Sequence, residues 1–81
     1  MYLEELHQLL TAVQTGLADG RAHAERARGL LEESRRAIVE PQAQAVPWVP
    51  PQLAQADEGM ENLLTRLSAA DDLVSGYQSR L

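Results

Sequence analysis

The sequence predicts an all-α fold, a two-helix antiparallel hairpin of the coiled-coil type. Two long segments carry apolar residues at alternating steps of three and four, which is the spacing of a coiled-coil seam. All four prolines lie between these segments, in residues 40–51, where a helix cannot continue. Because 81 residues make one small domain, we expect a single helical hairpin over residues 1–81.

The first predicted helix covers about residues 2–39. Glu4 and Glu5 suit the positive N-terminal end of a helix dipole. Pro41 lacks a backbone N–H, so we expect it to end the helix and to push Glu40 out of the helical region. The seam of this helix consists of Leu3, Leu6, Leu10, Val13, Leu17, Gly20, Ala24, Ala27, Leu31, Ser34 and Ile38.

Small residues occupy the middle of this seam. One interpretation places a kink within residues 16–20, which include two glycines. The other is that Gly20, Ala24 and Ala27 let the second helix come close, with large side chains of that helix filling the space. A small-molecule cavity among these residues and Ala70 is a third reading, and small residues usually close such cavities by bringing helices together.

The second predicted helix covers about residues 52–80 and starts at or near Pro50, since proline is tolerated in a first helical turn. Asp57, Glu58 and Glu61 make its early part acidic. The connection, residues 40–51, is expected to be extended and stiff. The second seam consists of Leu53, Ala56, Met60, Leu63, Leu67, Ala70, Val74, Tyr77 and Leu81.

Several leucines lie beside the two seams and widen the apolar stripe. Leu9 and Leu30 flank the first seam, and Leu64 and Leu73 flank the second. A hairpin buries one narrow stripe on each helix, so we expect two chains to form a four-helix bundle, either as a homodimer or with a homologous hairpin. The residues assigned to interaction are Leu9, Leu10, Leu17, Leu30, Leu31, Ile38, Trp48, Met60, Leu64, Leu67, Leu73 and Tyr77.

Trp48 is the one large aromatic residue in the predicted connection. It has two possible roles. It folds back to cover the open end of the bundle, or it stays exposed as an anchor for a partner, since Trp offers much apolar area at low entropic cost. Replacing it with Ala separates the two roles by its effect on stability and on binding.

The charge pattern argues against nucleic acid as a partner. The net charge is −5, all seven basic residues are arginines, and no aromatic residues interleave with them. Five arginines fall within residues 21–36. They form either a docking patch for an acidic surface, such as the acidic helix of a neighbour, or a solvated face. On a solvated face the expected ion pairs are Glu32–Arg36, Arg28–Glu32 and Glu25–Arg28.

No residue pattern points to catalysis, a cofactor or a metal. The chain has no cysteine, and its two histidines, His7 and His23, have no carboxylate spaced to complete a metal site. Asp71 and Asp72 are adjacent, so on a helix they point about 100° apart and cannot share a proton. No apolar run approaches a membrane span, and the N-terminus lacks the features of a signal peptide. We therefore expect a cytoplasmic protein, with leaderless export as the alternative.

A tryptophan near the junction of two long helices resembles the WxG-type helical hairpins, which travel through type VII secretion systems of actinobacteria and firmicutes. In this chain Trp48-Val49-Pro50 stands where that family has Trp-x-Gly. The C-terminal Tyr77-Gln78-Ser79-Arg80-Leu81 differs from the family's export signal because it lacks the acidic residue. The resemblance implies a hairpin fold and links the chain to type VII secretion.

A second resemblance extends over nearly the whole chain. It is to small actinobacterial helical hairpins that occur alone or as the N-terminal segment of polymorphic toxins, including some nucleobase deaminases. The residues that carry it are Ala24-Glu25-Arg26-Ala27-Arg28-Gly29-Leu30-Leu31, the turn Pro47-x-Val49, and the ending Leu67-Ser68-Ala69-Ala70-Asp71-Asp72-Leu73-Val74 with Tyr77 and Leu81. The resemblance implies a trafficking or pairing module without enzymatic activity.

These patterns favour a non-enzymatic interaction module, an adaptor, chaperone or targeting hairpin linked to type VII secretion or toxin delivery. The alternative is a self-assembling cytoplasmic structural or regulatory coiled-coil protein. The two differ in whether apolar surface remains available after self-association.

Overall fold

Two long antiparallel helices joined at one end make up the whole structure. The computed structural model describes residues 1–81, with α1 at Tyr2–Val39, a 3₁₀ turn at Glu40–Gln42 and α2 at Pro51–Gln78. The molecule measures 64 × 15 × 14 Å and contains no strand. The predicted all-α hairpin is confirmed, and α2 ends two residues before the predicted boundary.

The end of α1 differs from the expectation in one residue. Glu40 keeps a helical backbone, with φ −55° and ψ −44°, and its N–H donates to the Arg36 carbonyl. Pro41 fits within the first positions of the 3₁₀ turn, where its missing N–H leaves no bond unmade. The chain leaves the helix only at Ala43, which has a left-handed backbone with φ 50°. Glu40 is therefore not pushed out of the helical region, and the reversal occurs three residues later.

One of the two sets of positions in the predicted α2 seam is shifted by one residue, whereas Leu53, Met60, Leu67 and Val74 are half-buried as predicted. Leu64 is half-buried against α1, whereas Leu63 and Tyr77 are exposed. The half-buried positions nearest α1 also include Asp57, Asp71 and, at the far end, Gln78. Apolar residues occupy more than two positions in each heptad of this helix, so spacing alone leaves two registers open. Packing against α1 selects the register that contains Leu64.

Small residues bring the helices together at the middle of α1, which runs without interruption through residues 16–20. Ala24 is the only fully buried residue, at 3% exposure. A Cβ placed on Gly20 would lie 3.5 Å from Cδ1 of Leu67, an ordinary van der Waals contact. Leu67 thus fills the space beside Gly20, which confirms the small-seam interpretation and leaves no cavity there for a small molecule.

Gly29→Ala is expected to stabilise the hairpin. Gly29 lies inside α1, has nothing within 4 Å of an added Cβ and does not have a positive φ. Alanine restricts the unfolded chain and favours the helix, so the free energy of unfolding should rise by about 0.5–1 kcal/mol. Urea unfolding followed by circular dichroism measures the change. A lower midpoint for this variant would contradict the open surroundings of Gly29.

The hairpin exposes more surface than a compact protein of its mass. Its accessible surface is 6165 Å², whereas a compact chain of 8.9 kDa is expected to expose about 4,800 Å². Its radius of gyration is 18.7 Å, against about 12 Å for a compact domain of this length. One fully buried residue is a small core for 81 residues. The isolated hairpin therefore buries little apolar surface for its length.

Candidate interaction surface

One broad face of the hairpin carries the polar contacts between the helices. Gln14 donates from Nε2 to Oγ of Ser75 at 2.9 Å, and Arg28 donates to Asp57 and Glu61 at 3.2 and 3.0 Å. The donors on α1 belong to a series of polar residues spaced by seven along its seam, namely His7, Gln14, Arg21, Arg28 and Arg35. We call this side of the hairpin the polar face.

Arg28 joins the arginine-rich segment to the acidic part of α2 in the same chain. Its Nε and Nη2 contact two carboxylates, Asp57 and Glu61, and all three side chains remain substantially exposed. Of the three ion pairs expected within α1, Glu32–Arg36 forms at 3.8 Å, and Arg28 is engaged with α2 instead of Glu25 or Glu32. Exposed pairs contribute about 0–1 kcal/mol each. These contacts fix the register of the helices more than they stabilise them.

An apolar face lies on the opposite side of the hairpin. Each residue advances about 100° around a helix, so a series of steps of three and four forms a second stripe beside the seam. In an antiparallel pair, the stripes that follow the same side of each seam lie on the same side of the hairpin. The polar contacts lie on the opposite side, so these two stripes form one face together. The stripe on α1 is Leu9, Val13, Gly16, Gly20, His23, Ala27, Leu30, Ser34 and Ala37. The stripe on α2 is Gln52, Ala56, Gly59, Leu63, Arg66, Ala70, Leu73 and Tyr77.

The large apolar members of these stripes are uncovered. Their exposure ranges from 40% at Leu63 to 76% at Leu73, and Leu9, Val13, Leu30 and Tyr77 lie between these values. Isolated exposed leucines are ordinary on protein surfaces, but a contiguous set on one face marks an interaction site. The apolar face gathers six of the large exposed apolar residues of the two helices, and Tyr2 and Leu3 lie exposed at the start of α1.

The predicted interaction residues separate into two groups. Seven lie half-buried between the helices and hold the hairpin together: Leu10, Leu17, Leu31, Ile38, Met60, Leu64 and Leu67. The other five are exposed: Leu9, Leu30, Trp48, Leu73 and Tyr77. Leu64, which was expected to flank the seam, belongs to the first group. Val13 and Leu63, which were expected in the seams, belong with the exposed residues.

Two polar groups lie at the centre of the apolar face. Gly20 faces Leu67 and Gln14 bonds to Ser75, so His23 and Arg66 lie at nearly the same level along the hairpin. The Nδ1 atom of His23 accepts a hydrogen bond from Arg26 at 2.8 Å. Arg66 makes no ion pair, and it carries the one formal charge in the two stripes. Its long aliphatic stem is compatible with an apolar surface.

Gln42 fixes the connection, a role that the sequence does not reveal. Its Nε2 donates to the Ile38 and Trp48 carbonyls at 2.9 and 2.7 Å, and its Oε1 accepts from the Trp48 N–H at 2.7 Å. Trp48 itself is 64% exposed, so its indole does not cover the end of the single hairpin. The backbone of Trp48 is held firmly while its side chain stays available for contact.

We expect Gln42→Ala to lower stability more than Trp48→Ala. The first change removes three hydrogen bonds and should lower the free energy of unfolding by about 1–2 kcal/mol. The second truncates a side chain that is mostly in solvent, and a change within about 0.5 kcal/mol is expected. Thermal unfolding of the two variants measures the difference. A larger loss for Trp48→Ala would mean that the indole covers the bundle end after all.

No group of three or more His, Asp or Glu side chains could hold a metal ion, and neither helix is both long and apolar enough to cross a membrane. An open groove of about 350 Å³ lies between α1 and the start of α2, with Leu31, Val49 and Leu53 in its wall and Arg35 and Asp57 beside them. The groove lies at the same end of the hairpin as Trp48.

Fold and surface define a class of protein, an all-α helical hairpin with one uncovered apolar face. Comparison of the chain with models of known protein families found no match, and no curated protein or solved structure matches it either.

Proposed function

We propose that this protein is a non-enzymatic interaction module, a helical hairpin that associates with another helical protein surface through its apolar face. The observation that carries the proposal is the uncovered set of large residues on that face, with Leu9, Leu30 and Leu73 each more than half exposed. Burying an apolar side chain of this size contributes about 1.5–3 kcal/mol. Covering several of them at once supplies the driving force for association.

In the cell, such a module acts as an adaptor, a chaperone or a targeting segment. The resemblance to WxG-type hairpins and to the N-terminal hairpins of polymorphic toxins favours a place in type VII-linked toxin delivery. In that role a cytoplasmic pool would pair with its partner before any export. The exposed Trp48 would add an anchor at the connection end.

The second candidate function is a self-assembling structural or regulatory coiled-coil protein. The stripes on both helices contain both large and small residues, an arrangement suited to packing against a similar surface. In this role, self-association would consume the whole apolar face. No surface would remain for a different partner.

Co-purification with matched variants tests the proposal. The tagged protein is expressed in its native host, beside a variant with Leu30→Ser and Leu73→Ser on the apolar face. A control carries Ala22→Ser and Ala69→Ser, exposed positions on the far sides of the same helices. We expect the control to retain every specific partner, including its own copy, and the apolar-face variant to lose them. Equal recovery by both variants would overturn the proposal.

A further inference from the structure

We infer that the occupant of the apolar face is a second copy of this chain, stacked face to face with the connections at opposite ends. The inference rests on the apolar face of the proposed function and takes self-association, the second candidate function, as the way in which that face is covered. In this arrangement α1 lies antiparallel on α1 of the second copy and α2 on α2, around a two-fold axis through the level of His23 and Arg66. Each helix then has two antiparallel neighbours, as in a four-helix bundle.

The stripe on α1 fits its own reverse. Its ends are Leu9 and Ala37, with His23 at its midpoint. A two-fold axis at that midpoint pairs each large residue with a small one across the interface. The pairs are Leu9 with Ala37, Val13 with Ser34, Leu30 with Gly16, and Gly20 with Ala27. Alternating large and small residues hold two helices at an even separation along their length.

The stripe on α2 follows the same rule around Arg66, except at the axis, where the two Arg66 side chains meet and extend their guanidinium groups to solvent. The pairs across the axis are Leu63 with Ala70, Leu73 with Gly59, and Tyr77 with Ala56. Arg66 lies level with His23, so one axis serves both helices without any shift along the hairpin. Two independent stripes thus point to the same axis, which is what a symmetric dimer requires.

The other symmetric stacking, with both connections at the same end, fits less well. It places α1 on α2 of the second copy, so Val13 meets Tyr77 near the termini. Leu30, Leu63 and Leu73 still meet small residues, namely Gly59, Ala27 and Gly16. At the connection end, Ser34 and Ala37 would meet Ala56 and Gln52. Large residues would crowd one end while small ones left gaps at the other. Close packing disfavours both defects.

The area of the face suits a dimer of this kind. The hairpin exposes 6165 Å², which exceeds the expectation for a compact chain of its mass by about 1,300 Å². A standard protein interface buries about 800 Å² on each partner. Covering the apolar face would therefore bring the accessible surface area of each chain close to that of a compact domain of the same mass.

Glycine positions provide a matched test. Gly16 and Gly59 lie on the apolar face, whereas Gly29 and Gly76 lie on the far sides, and an added Cβ meets nothing within 4 Å at any of them. In the isolated hairpin an added Cβ is therefore free of contacts at all four positions. In the dimer, leucine at position 16 or 59 would collide with Leu30 or Leu73 of the second copy. We expect Gly16→Leu and Gly59→Leu to raise the dimer dissociation constant at least about tenfold, and Gly29→Leu and Gly76→Leu to leave it unchanged.

The direction of the change in the dissociation constant separates specific packing from nonspecific hydrophobic association. Leucine makes the surface more apolar, so nonspecific association would become tighter at all four positions. Sedimentation equilibrium on the purified full chain measures the dissociation constants. Equal or tighter association of Gly16→Leu and Gly59→Leu, relative to the two controls, would overturn the inferred packing.

Thiol cross-linking tests the orientation, since the chain has no cysteine of its own. His23→Cys lies on the inferred axis, so two copies should form a disulfide-linked dimer under mild oxidation. Ala37→Cys alone should not cross-link, but it should do so when mixed with Leu9→Cys. If His23→Cys cross-links only with Arg66→Cys, the connections lie at the same end and the inferred orientation is wrong.

Failure of this inference is distinguishable from failure of the proposed function. If the purified chain stays monomeric at every concentration, the second copy is excluded as the occupant. The co-purification experiment with the Leu30 and Leu73 variant then decides whether a different protein covers the same face. If that variant also keeps all its partners, the proposed function fails as well.

Discussion

Leu63→Glu is expected to abolish association through the apolar face. Leu63 lies near the middle of the α2 stripe and is 40% exposed in the single hairpin. In the associated state it is covered, so the change loses about 2 kcal/mol of apolar burial in each chain and removes a carboxylate beside Arg66 from water. The dissociation constant should rise by at least a factor of about 100, since each 1.4 kcal/mol is tenfold.

The neighbouring residue supplies the control for this prediction. Asn62 is exposed and lies about 100° further around the helix, on the side away from α1. Asn62→Glu introduces the same charge one residue away and should leave association within about twofold of the wild type, as expected of a rim or distant charge. Sedimentation equilibrium compares the two variants. Similar weakening by both would mean that net charge, and not the apolar face, controls association.

Ala24→Leu is expected to destabilise the hairpin more than the same change at any other alanine of α1. Ala24 is 3% exposed and is the only fully buried residue, so its side chain has less free space around it than any other. Three added carbon atoms have no space to occupy, and overpacking of this kind costs about 1–3 kcal/mol. In a hairpin with so small a core, that loss should lower the thermal midpoint by roughly 10 °C.

Ala22→Leu provides the comparison within the same turn of α1. Ala22 is exposed on the side away from α2, and leucine has nearly the same helix propensity as alanine. The thermal midpoint of this variant should therefore stay close to that of the wild type. Thermal unfolding followed by circular dichroism measures both. Equal stability of the two variants would show that the helices are not closely packed at Ala24.

The sequence predicts the fold because heptad spacing indicates the two helices and the prolines mark the connection between them. Proline cannot continue a helix interior, so the four prolines place the connection within a few residues of its observed position. The predicted end of α1 at Val39 is right, but the expectation of a non-helical backbone at Glu40 is wrong, because a proline also fits the first turn of a 3₁₀ helix. A preference against helical backbone before proline is a bias that neighbouring hydrogen bonds can outweigh.

The sequence predicts only part of the exposed apolar surface. Leu63 and Leu64 are both apolar and adjacent, so spacing could not decide which of them faces α1. The decision comes from packing across the seam, where Leu67 fits against Gly20. Leu9, Leu30 and Leu73 were correctly expected to lack cover, because no single hairpin can bury a stripe wider than its seam.

The role of Gln42 could not have been found from the sequence. Glutamine in a proline-rich segment is unremarkable, and its hydrogen bonds to Ile38 and Trp48 depend on how the chain reverses after Ala43. No spacing rule describes that reversal. Contacts between a side chain and a nearby irregular backbone become visible only once the backbone path is known.

The mass of the purified chain in solution tests the central claim most directly, that the apolar face requires cover by another copy. Light scattering after size exclusion, over a hundredfold range of concentration and with helicity recorded alongside, gives this mass. We expect a fully helical particle of about 18 kDa, twice the 8.9 kDa of one chain, at all but the lowest concentrations. A fully helical, thermally stable monomer at the highest concentration would contradict the claim.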